Sequence, residues 1–362
     1  MHGTRHPPMG ARDNRPGHSR FSPIRRRRAT ELLLLFVLSL GLSSTALPCE
    51  GESCQRHFTL EEVRDVRVPS GGYLREASGL TGLGGTLWAV TDKSNTAIFR
   101  LELSSQETVV TAREVPLEIP PSTREALRRC GGRRRRGLDL EGIAAVPGGL
   151  FFLLSENYRA VLITRVDNPN GPGSRAIAQE VICIPGQNQS SNDGLEGLSA
   201  FPGGVLALEE GRGWPPKRLY RCRFPELQCT LLTSVVMSNR TPGLTLLDPH
   251  GVRLLALNTV WGWGNDGNKI CEMRADAPTP KACLLNLDRV KEAERERADF
   301  PESFRQNGGT NYEGIHFDPV KGRLYVINDN NATWNQTFSG DAEREPTLLL
   351  IFTLQKPPAS SP

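Results

Sequence analysis

A short phrase recurs along this chain and constrains its fold more than any other feature. Residues 138–157 read LDLEGIAAVPGGLFFLLSEN, residues 194–210 read GLEGLSAFPGGVLALEE, and residues 311–331 read NYEGIHFDPVKGRLYVINDNN. In each phrase a Glu-Gly pair opens an apolar segment, a Gly-rich or Asp-Pro turn follows, and a second apolar segment ends in acidic or amide residues. The pattern predicts a β-hairpin that the chain forms repeatedly.

Two weaker copies extend the repeat to five. EASGL at residues 76–80 precedes a Gly-Gly turn and TLWAVTDKSN, and PGL at residues 242–244 precedes DPHG and VRLLALNT. Further strand-like segments usually follow the hairpin, so each unit is predicted to contain about four antiparallel strands. The glycines that anchor the copies are Gly79, Gly142, Gly197, Gly243 and Gly314. Four-stranded units at intervals of 46 to 71 residues predict an all-β fold, a β-propeller of five blades with six as the alternative.

The two ends of this propeller are predicted to meet. The segment EEVRDVRVP at residues 61–69 would add an outer strand to the last blade, which ends in TLLLIFTL at residues 347–354, and so close the ring. Residues 125–129 and 287–300 have a helical pattern, and both segments lie in connections. The competing interpretation is a β-sandwich with coincidental glycine turns.

Polar residues at a fixed distance from the turn argue against that sandwich. The spacing from the last turn glycine is seven residues in four copies and six in the third, and the residues are Asp92, Glu156, Glu210, Asn258 and Asp329. In a blade, the start of the first strand and the end of the second lie on one face. This second ring is therefore predicted to share one tunnel mouth with the glutamates near the anchoring glycines: Glu76, Glu141, Glu196 and Glu313. Glu76 lies two residues earlier in its copy, and alternation along the strand is predicted to keep it on the same side.

The four glutamates predict a cation site. Carboxylates gathered on one axis repel one another, so their pKa values rise or they bind a cation. Oxygen-only ligands favour Ca²⁺ over Mg²⁺ or Mn²⁺. The predicted metal ligands are Glu76, Glu141, Glu196 and Glu313, of which the last three are also the predicted catalytic residues. The alternative is structural: these side chains would accept hydrogen bonds from backbone N–H groups of neighbouring blades.

Two loops are predicted to open on the same face. The loop before Glu141 carries four guanidinium groups that could bind a phosphate or carboxylate beside a cation: Arg133, Arg134, Arg135 and Arg136. Trp261 and Trp263 follow the hairpin of the fourth copy, where they could line a pocket or stack on a ring. The alternatives are a solvated surface loop for the arginines and loop packing for the tryptophans.

Residues 1–46 have the three parts of a secretory signal peptide. Arg25–Arg28 form a basic block, a short apolar segment follows, and Ser44-Thr45-Ala46 offers small residues for cleavage. The apolar segment is too short for a convincing membrane span, so an exported protein, periplasmic or extracellular, is predicted. Cys49 follows a proline, a poor lipoprotein signal, and lipid anchoring is the disfavoured alternative.

Removing this leader changes the charge of the protein. Residues 1–48 contain eight arginines, no lysine and two acids, a net charge of +6, whereas the whole chain carries +4, so the remainder carries −2. A nucleic-acid partner therefore has no electrostatic support. Residues 47–60 are predicted to be a linker, residues 61–356 a single propeller domain and residues 357–362 a disordered tail.

All eight cysteines lie at or after Cys49, and an even number in an exported chain indicates disulfides. Two pairs flank proline-containing turns and are predicted to bridge the strands of a hairpin, Cys222–Cys229 and Cys271–Cys283. Two more pairs remain by elimination, Cys49–Cys54 and Cys130–Cys183. No pair has the spacing of a zinc ribbon, so metal binding through sulfur is not expected.

Other catalytic signatures are missing from the sequence. It contains no G-x-S-x-G elbow, P-loop, dinucleotide fingerprint or EF-hand loop. The histidines beyond the leader are His57, His250 and His316, and their positions in the repeat do not support a His-based triad.

The phrases EASGL, LEGIA, LEGLS and YEGIH, each followed by a hairpin and an acidic or amide residue, resemble the phytase-like propeller family described as having esterase-like activity of phytase. The resemblance covers about residues 70–355 and implies an exported protein. More distantly, the chain is similar to calcium-activated nucleotidases (apyrases), five-bladed propellers with acidic residues around an axial Ca²⁺. True β-propeller phytases, which hydrolyse phosphomonoesters with calcium, are similar in architecture, but their long motifs are missing here. Pro242 also stands where the fourth copy should have a glutamate, so the acidic ring is incomplete.

The residues and the resemblance together predict an exported phytase-like propeller with an axial acidic Ca²⁺ site. The predicted activity is metal-dependent hydrolysis of a phosphate ester in a small phosphorylated or acidic substrate. The alternative is a non-catalytic binding propeller with a structural cation, whose partner is a glycan or a protein.

Overall fold

The computed structural model describes eleven stretches of the chain, all within the compact unit Ala46–Pro362. They are residues 58–104, 107–131, 137–186, 194–211, 216–237, 239–248, 250–259, 267–277, 279–307, 311–331 and 345–355. The predicted signal peptide, the predicted tail, the Cys49–Cys54 pair and the two rim loops with Arg133–Arg136, Trp261 and Trp263 lie outside these residues.

Strands make up most of the described chain. The first ten are β1 (Phe58–Arg67), β2 (Ala77–Leu83), β3 (Thr86–Thr91), β4 (Ala97–Leu103), β5 (Val109–Glu118), β6 (Leu140–Val146), β7 (Leu150–Ser155), β8 (Ala160–Asp167), β9 (Arg175–Cys183) and β10 (Leu195–Phe201). The next ten are β11 (Gly204–Glu209), β12 (Lys217–Arg223), β13 (Gln228–Val235), β14 (Arg240–Leu246), β15 (Arg253–Thr259), β16 (Lys269–Arg274), β17 (Ala282–Asn286), β18 (Asn311–Asp318), β19 (Arg323–Asp329) and β20 (Leu348–Leu354).

These strands pair into five antiparallel groups of four. The groups are β2 to β5, β6 to β9, β10 to β13, β14 to β17, and β18 to β20 with β1. In the last group β1 runs antiparallel to β20, with Phe58 opposite Leu354. The predicted closure by the N-terminal strand is therefore confirmed, although β1 begins three residues before the predicted start of the domain at residue 61.

The first strands of the five groups form a closed ring. Strands β2, β6, β10, β14 and β18 contact one another in this order, and β18 contacts β2 again. Each group extends outward from this ring, so the fold is the predicted all-β propeller. On the outside, β5 pairs in parallel with both β1 and β9 and so links three groups into one sheet.

The anchoring glycines stand where neighbouring first strands come closest. A Cβ atom on Gly142 would lie 2.8 Å from the Cβ of Leu198 and 2.9 Å from the carbonyl of Glu196. A Cβ atom on Gly243 would lie 2.8 Å from the carbonyl of Glu313. These distances are shorter than real side chains allow, so the glycine recurs because the ring is packed backbone against backbone.

Apolar side chains fill the space between adjacent groups. Between the first and second groups, the buried rings of Trp88 and Phe151 meet edge to face with centroids 4.9 Å apart. Each interface buries apolar residues from two groups, so neither group has a complete core alone. This dependence fixes how the groups are placed relative to one another and therefore which residues meet at the axis.

The three described helices are α1 (Pro121–Arg129), α2 (Leu287–Glu294) and α3 (Glu302–Asn307). The first two confirm helices in the predicted connections, but α1 begins four residues before the predicted residue 125, α2 ends six residues before the predicted residue 300, and α3 was not predicted. Helix α1 begins with a proline in its first turn, where a missing N–H costs nothing. The Asn286 side chain begins α2 by accepting a hydrogen bond of 3.0 Å from the backbone N–H of Arg289. In the described part of the chain, no helix has the length and apolar character needed to cross a membrane.

Three of the predicted disulfides are confirmed. Cys222–Cys229 joins β12 to β13 and Cys271–Cys283 joins β16 to β17, and in both pairs the cysteines are opposite each other in the strand register. Cys130–Cys183 connects the end of α1 to the end of β9. Every cysteine of the described residues is in a disulfide.

Candidate functional site

A β-bulge at the start of each first strand prepares the site. The strand register shifts between Leu140 and Gly142, and the same shift precedes the anchoring glycine in the other four copies. The residue at the bulge is Glu141, Glu196 or Glu313 in three copies and Ser78 in the first. A bulge turns its side chain away from the regular alternation. The three glutamates are buried, between 5% and 9% exposed.

The ends of the second strands reach the same mouth. Asp92, Glu156 and Glu210 directly follow β3, β7 and β11, while Asn258 and Asp329 lie within β15 and β19. The backbone N–H of Glu156 donates 3.0 Å to the carbonyl of Asp139, three residues before Gly142. The backbone N–H of Glu210 donates 2.9 Å to the carbonyl of Gly194 in the equivalent position of the next copy. The predicted second ring therefore lies beside the starts of the first strands.

We refer to the carboxylates at this end of the tunnel as the acidic mouth. Its members are Glu76, Asp92, Asp139, Glu141, Glu156, Glu196, Glu210, Glu313 and Asp329. Among the described residues, two cationic side chains form ion pairs with these carboxylates, Arg240 and Lys93, and each pairs with a different part of the mouth.

Arg240 neutralises one part of the acidic mouth. Its guanidinium group forms ion pairs with Glu210 and, at 3.2 Å, with Glu313 Oε1. Arg240 Nη1 also donates 3.3 Å to Asn311 Oδ1, and Asn311 Nδ2 in turn donates 2.9 Å to Asp329 Oδ2. The Arg240 and Glu210 side chains are only 12% and 1% exposed, so this ion pair is largely shielded from solvent.

Lys93 approaches the other part from its rim. Its ammonium group lies 2.9 Å from Glu76 Oε2 and 2.5 Å from Asp92 Oδ2, and its side chain is 50% exposed. Glu76 precedes β2 and has a left-handed backbone with φ of 48°. The side chain of Asn330 holds this conformation by accepting 3.0 Å from the Glu76 N–H. Glu76 therefore reaches the acidic mouth through a strained turn before β2. The predicted reason for its position, alternation along the strand, is wrong.

Three carboxylates form a compact cluster between Lys93 and the axis. One oxygen from each of Asp92, Asp139 and Glu141 can be chosen so that all three lie within 4.8 Å of one another. Asp139 has a left-handed backbone with φ of 54°, and its approach is held by Asn95, which accepts a hydrogen bond from the backbone N–H of Leu138. Asp92 Oδ1 is buried, and no donor of the described residues reaches it.

Burial and mutual repulsion raise the pKa values of the acidic mouth. Burial, followed by the charges of Glu196 and Asp92, raises the pKa of Glu141 well above its usual range. Burial also raises the pKa of Asp92 to about 7, although Lys93 opposes the shift. The pKa of Glu313 rises to about 7 through burial against the opposing charge of Arg240, and that of Asp329 rises to about 7 through burial and the charge of Glu313. A bound cation would relieve this repulsion.

Sequence reasoning identified most of these residues but missed three. Asp139, Arg240 and Lys93 were not among the predicted site residues. Asp139 and Arg240 stand three residues before their anchoring glycines, as Glu76 does in the first copy, so alignment of that position would have found them. Lys93 has no equivalent signal, because its role depends on its neighbours in space. The predicted contributions of Arg133–Arg136, Trp261 and Trp263 concern residues that the structure does not describe.

The opposite end of the tunnel has a different character. A cavity of 170 Å³ is lined there by the first strands of all five groups and includes Thr81, Ser199, Thr245 and His316. Burial lowers the pKa of His316 to about 4, so the imidazole is neutral at physiological pH. Among the described residues, three carboxylates come close enough to share a cation at the acidic mouth, whereas Asp248 is the one carboxylate that lines this cavity.

Comparison with known proteins identifies one family. A family model for phytase-like proteins, described as esterase-like activity of phytase, matches residues 73–332. No curated protein matches the chain.

The solved structures that match share little sequence with this chain. The PQQ-bound aldose sugar dehydrogenase from Streptomyces coelicolor is 12% identical, with 83% of this chain and 99% of that chain covered and a TM-score of 0.44. The WD40 repeats of RRP9 are 10% identical, with 82% and 100% covered and a TM-score of 0.42. Hydrazine synthase from Kuenenia stuttgartiensis is 11% identical with a TM-score of 0.39, and the match spans 70% of this chain but 56% of that one.

Proposed function

The chain belongs to this phytase-like family, and on that premise we propose that it is a Ca²⁺-dependent phosphoric ester hydrolase. The cation would be held by Asp92, Asp139 and Glu141. The observation that carries the proposal is the compact cluster of these carboxylates, whose ligand oxygens lie within 4.8 Å of one another. Glu76 and Glu196, which belong to the same acidic mouth, would complete the negative environment.

The chemistry of the cluster fits a hard cation. Its donors are carboxylate oxygens alone, which Ca²⁺ prefers and soft metals do not. Asp92 Oδ1 is buried and receives no hydrogen bond from the described residues. This oxygen can therefore bind a cation without the loss of a hydrogen bond. Lys93 is the competing cation, but its side chain is half exposed and can move away into solvent.

The residues around the cluster have the groups that ester hydrolysis requires. A bound Ca²⁺ would offset charge on a phosphoryl oxygen and make a nearby water more acidic. The ammonium group of Lys93 can contact a phosphate oxygen. Glu313, whose Oε2 is buried and unbonded among the described residues and whose pKa is about 7, can accept or donate a proton near neutral pH.

Export is part of the proposal. Three disulfides support an oxidising environment, which is expected of periplasmic or extracellular proteins. The signal-peptide pattern of residues 1–46 supports the same compartment.

A calcium titration combined with an activity assay tests the function. Wild-type protein should gain about 5 °C in Tm with saturating Ca²⁺ and should hydrolyse p-nitrophenyl phosphate or a nucleotide only with the cation present. Glu141→Gln should lose both effects. Glu272→Gln is the matched control, because Glu272 is similarly buried but lies on β16, where it pairs with Arg253 of β15 at 2.8 Å.

A binding protein with a structural cation is the second candidate. The ion pairs of Arg240 and Lys93 favour a binding protein, because they neutralise several carboxylates in the absence of a substrate. In that case Ca²⁺ would raise Tm but no phosphate ester would turn over, and a glycan or a protein would be the partner. If Ca²⁺ shifts neither Tm nor activity, both candidates are wrong about the cation.

A further inference from the structure

A large cavity opens beside the acidic mouth, on the outer side of the first group of strands. Its volume is 1020 Å³, and its walls are the segment between β1 and β2, the turn after β3, and the middle of β5. Cavities that bind small organic ligands are typically about 300 to 1,000 Å³. The cavity is therefore large enough for a complete small molecule and not only for an ion.

The wall of this cavity is continuous with the proposed cation site. Lys93 lines the cavity, and its ammonium group also contacts Glu76 and Asp92 in the acidic mouth. Asn95 lines it too, and its side chain bonds to Leu138, the residue before Asp139. Because one turn supplies both the wall and a cation ligand, a molecule in the cavity would have one end at the cation site.

The charge of the wall is opposite to that of the mouth. Three cationic residues line the cavity, Arg75, Lys93 and Arg113, against one acid, Glu114. Arg75 is exposed, and Arg113 has a side chain that is 53% exposed and forms one ion pair, with Glu102 at 2.6 Å. Guanidinium groups in such positions bind phosphate or carboxylate with two parallel hydrogen bonds.

The wall also has aromatic surface. Phe99 and Tyr73 line the cavity, and the guanidinium of Arg67 covers the Tyr73 ring at 4.2 Å from its centroid and so holds it in place. Ser94, Asn95 and Thr96 also line the cavity and add polar side chains. A ring or short chain would therefore find apolar contact, while an anionic group would be drawn to the arginines.

We propose that this cavity is the binding site for the organic part of the substrate, which is a phosphate ester that carries a ring or short chain and further anionic groups. Lys93 would lie between the organic part of the substrate, in the cavity, and the phosphate ester group, at the cation site. The identification of the substrate as a phosphate ester rests on the proposed function. The binding of an anionic ring compound in this cavity does not.

Calorimetric titration with 4-carboxyphenylphosphonate tests the cavity, because this compound cannot be hydrolysed as an ester and carries a second anionic group for the arginines. Wild-type protein with Ca²⁺ should bind it, and Arg113→Met should weaken binding about tenfold through the loss of a charged hydrogen bond. Arg75→Ala should weaken it similarly and is a second variant at an exposed position. Arg274→Met is the matched control, because Arg274 is 48% exposed and pairs with Asp276 at 2.8 Å in the fourth group.

The outcomes separate this proposal from the proposed function. Equal binding by Arg113→Met, Arg75→Ala and Arg274→Met would overturn the cavity assignment, as would no binding by wild-type protein. Binding that depends on Arg113 and Arg75, in a protein that cleaves no phosphate ester, would support the cavity and contradict the hydrolase. Cleavage of esters with the same KM in all three variants would keep the hydrolase and place its substrate elsewhere.

Discussion

The two parts of the acidic mouth contain similar carboxylates but different cations. Around Arg240, the carboxylates of Glu210 and Glu313 meet a guanidinium group that is almost fully buried. Around Asp92 and Glu76, the counter-ion is the ammonium group of Lys93, whose side chain is half exposed. One part therefore has a permanent internal cation, and the other has a cation that can withdraw.

This difference indicates which part can bind an ion from solution. Arg240 is fixed by its burial and by two carboxylates, and its removal would leave charges without compensation in a medium that solvates them poorly. Asp92 and Glu76 hold Lys93 and raise its pKa, but its half-exposed side chain can turn into solvent when a divalent cation takes its place. A divalent cation should accordingly enter at Asp92, Asp139 and Glu141 and not at Glu313.

Replacement of Arg240 tests the permanent half and should have the largest effect. Arg240→Met removes the counter-ion of two buried carboxylates and should lower the free energy of unfolding by about 4 kcal/mol at pH 8. Urea denaturation followed by circular dichroism measures the change. Arg274→Met, which replaces an exposed arginine with a single carboxylate partner, should change the free energy of unfolding little. Equal losses in the two variants would show that Arg240 is not a counter-ion.

The pH dependence of stability tests the carboxylates themselves. Glu313 and Asp329 have folded-state pKa values of about 7, against ordinary values of 4.5 and 3.8. Between these values the folded protein binds more protons than the unfolded chain, so the free energy of unfolding falls as pH rises. Without Ca²⁺, we expect a fall of about 3 kcal/mol from pH 6 to pH 8.

A double variant isolates this contribution from the rest of the molecule. Glu313→Gln with Asp329→Asn removes both titrating groups, so its free energy of unfolding should vary less with pH than that of wild-type protein. Denaturation series at several pH values provide the comparison. Parallel pH profiles for the two proteins would contradict the raised pKa values.

Replacement of Lys93 tests the exchangeable half and should have the smallest effect. Lys93→Met removes the competitor for Asp92, so the affinity for Ca²⁺ should rise about threefold, as expected for a half-exposed ion pair. Calorimetric titration with Ca²⁺ measures it. Lys321→Met is the control, because Lys321 is also half exposed and lies 3.8 Å from Asp318 in a turn. Weaker Ca²⁺ binding by Lys93→Met would mean that Lys93 supports the site and does not compete for it.

Much of the fold follows from local patterns. Alternating apolar segments with Gly or Pro turns predicted the hairpins, and the spacing of cysteines predicted the bridges across β12–β13 and β16–β17. The recurring glycine was recognised as an anchor, but its reason is not local. Gly142 packs against Glu196 and Leu198 of the next copy, a contact that no single repeat contains.

The site was less accessible to such reasoning. The bulge before each anchoring glycine interrupts the alternation of side chains. Regular alternation along the strand therefore does not explain the position of Glu76. Arg240 belongs to the fourth copy, in which Pro242 stands in place of a glutamate and predicts a gap in the acidic ring. In the structure the gap is occupied by a positive charge.

The sequence by itself determined that a hairpin with an anchoring glycine recurs and that acids recur at two positions in it, because these features depend on spacing along the chain. The tertiary structure decided which acids share a cation. Closure of the ring brings Glu210 of the third copy, Arg240 of the fourth and Glu313 of the fifth together, and separately joins Asp92 of the first to Asp139 of the second. Electrostatic interaction depends on distance and burial, and both are set only when the five groups pack around one axis.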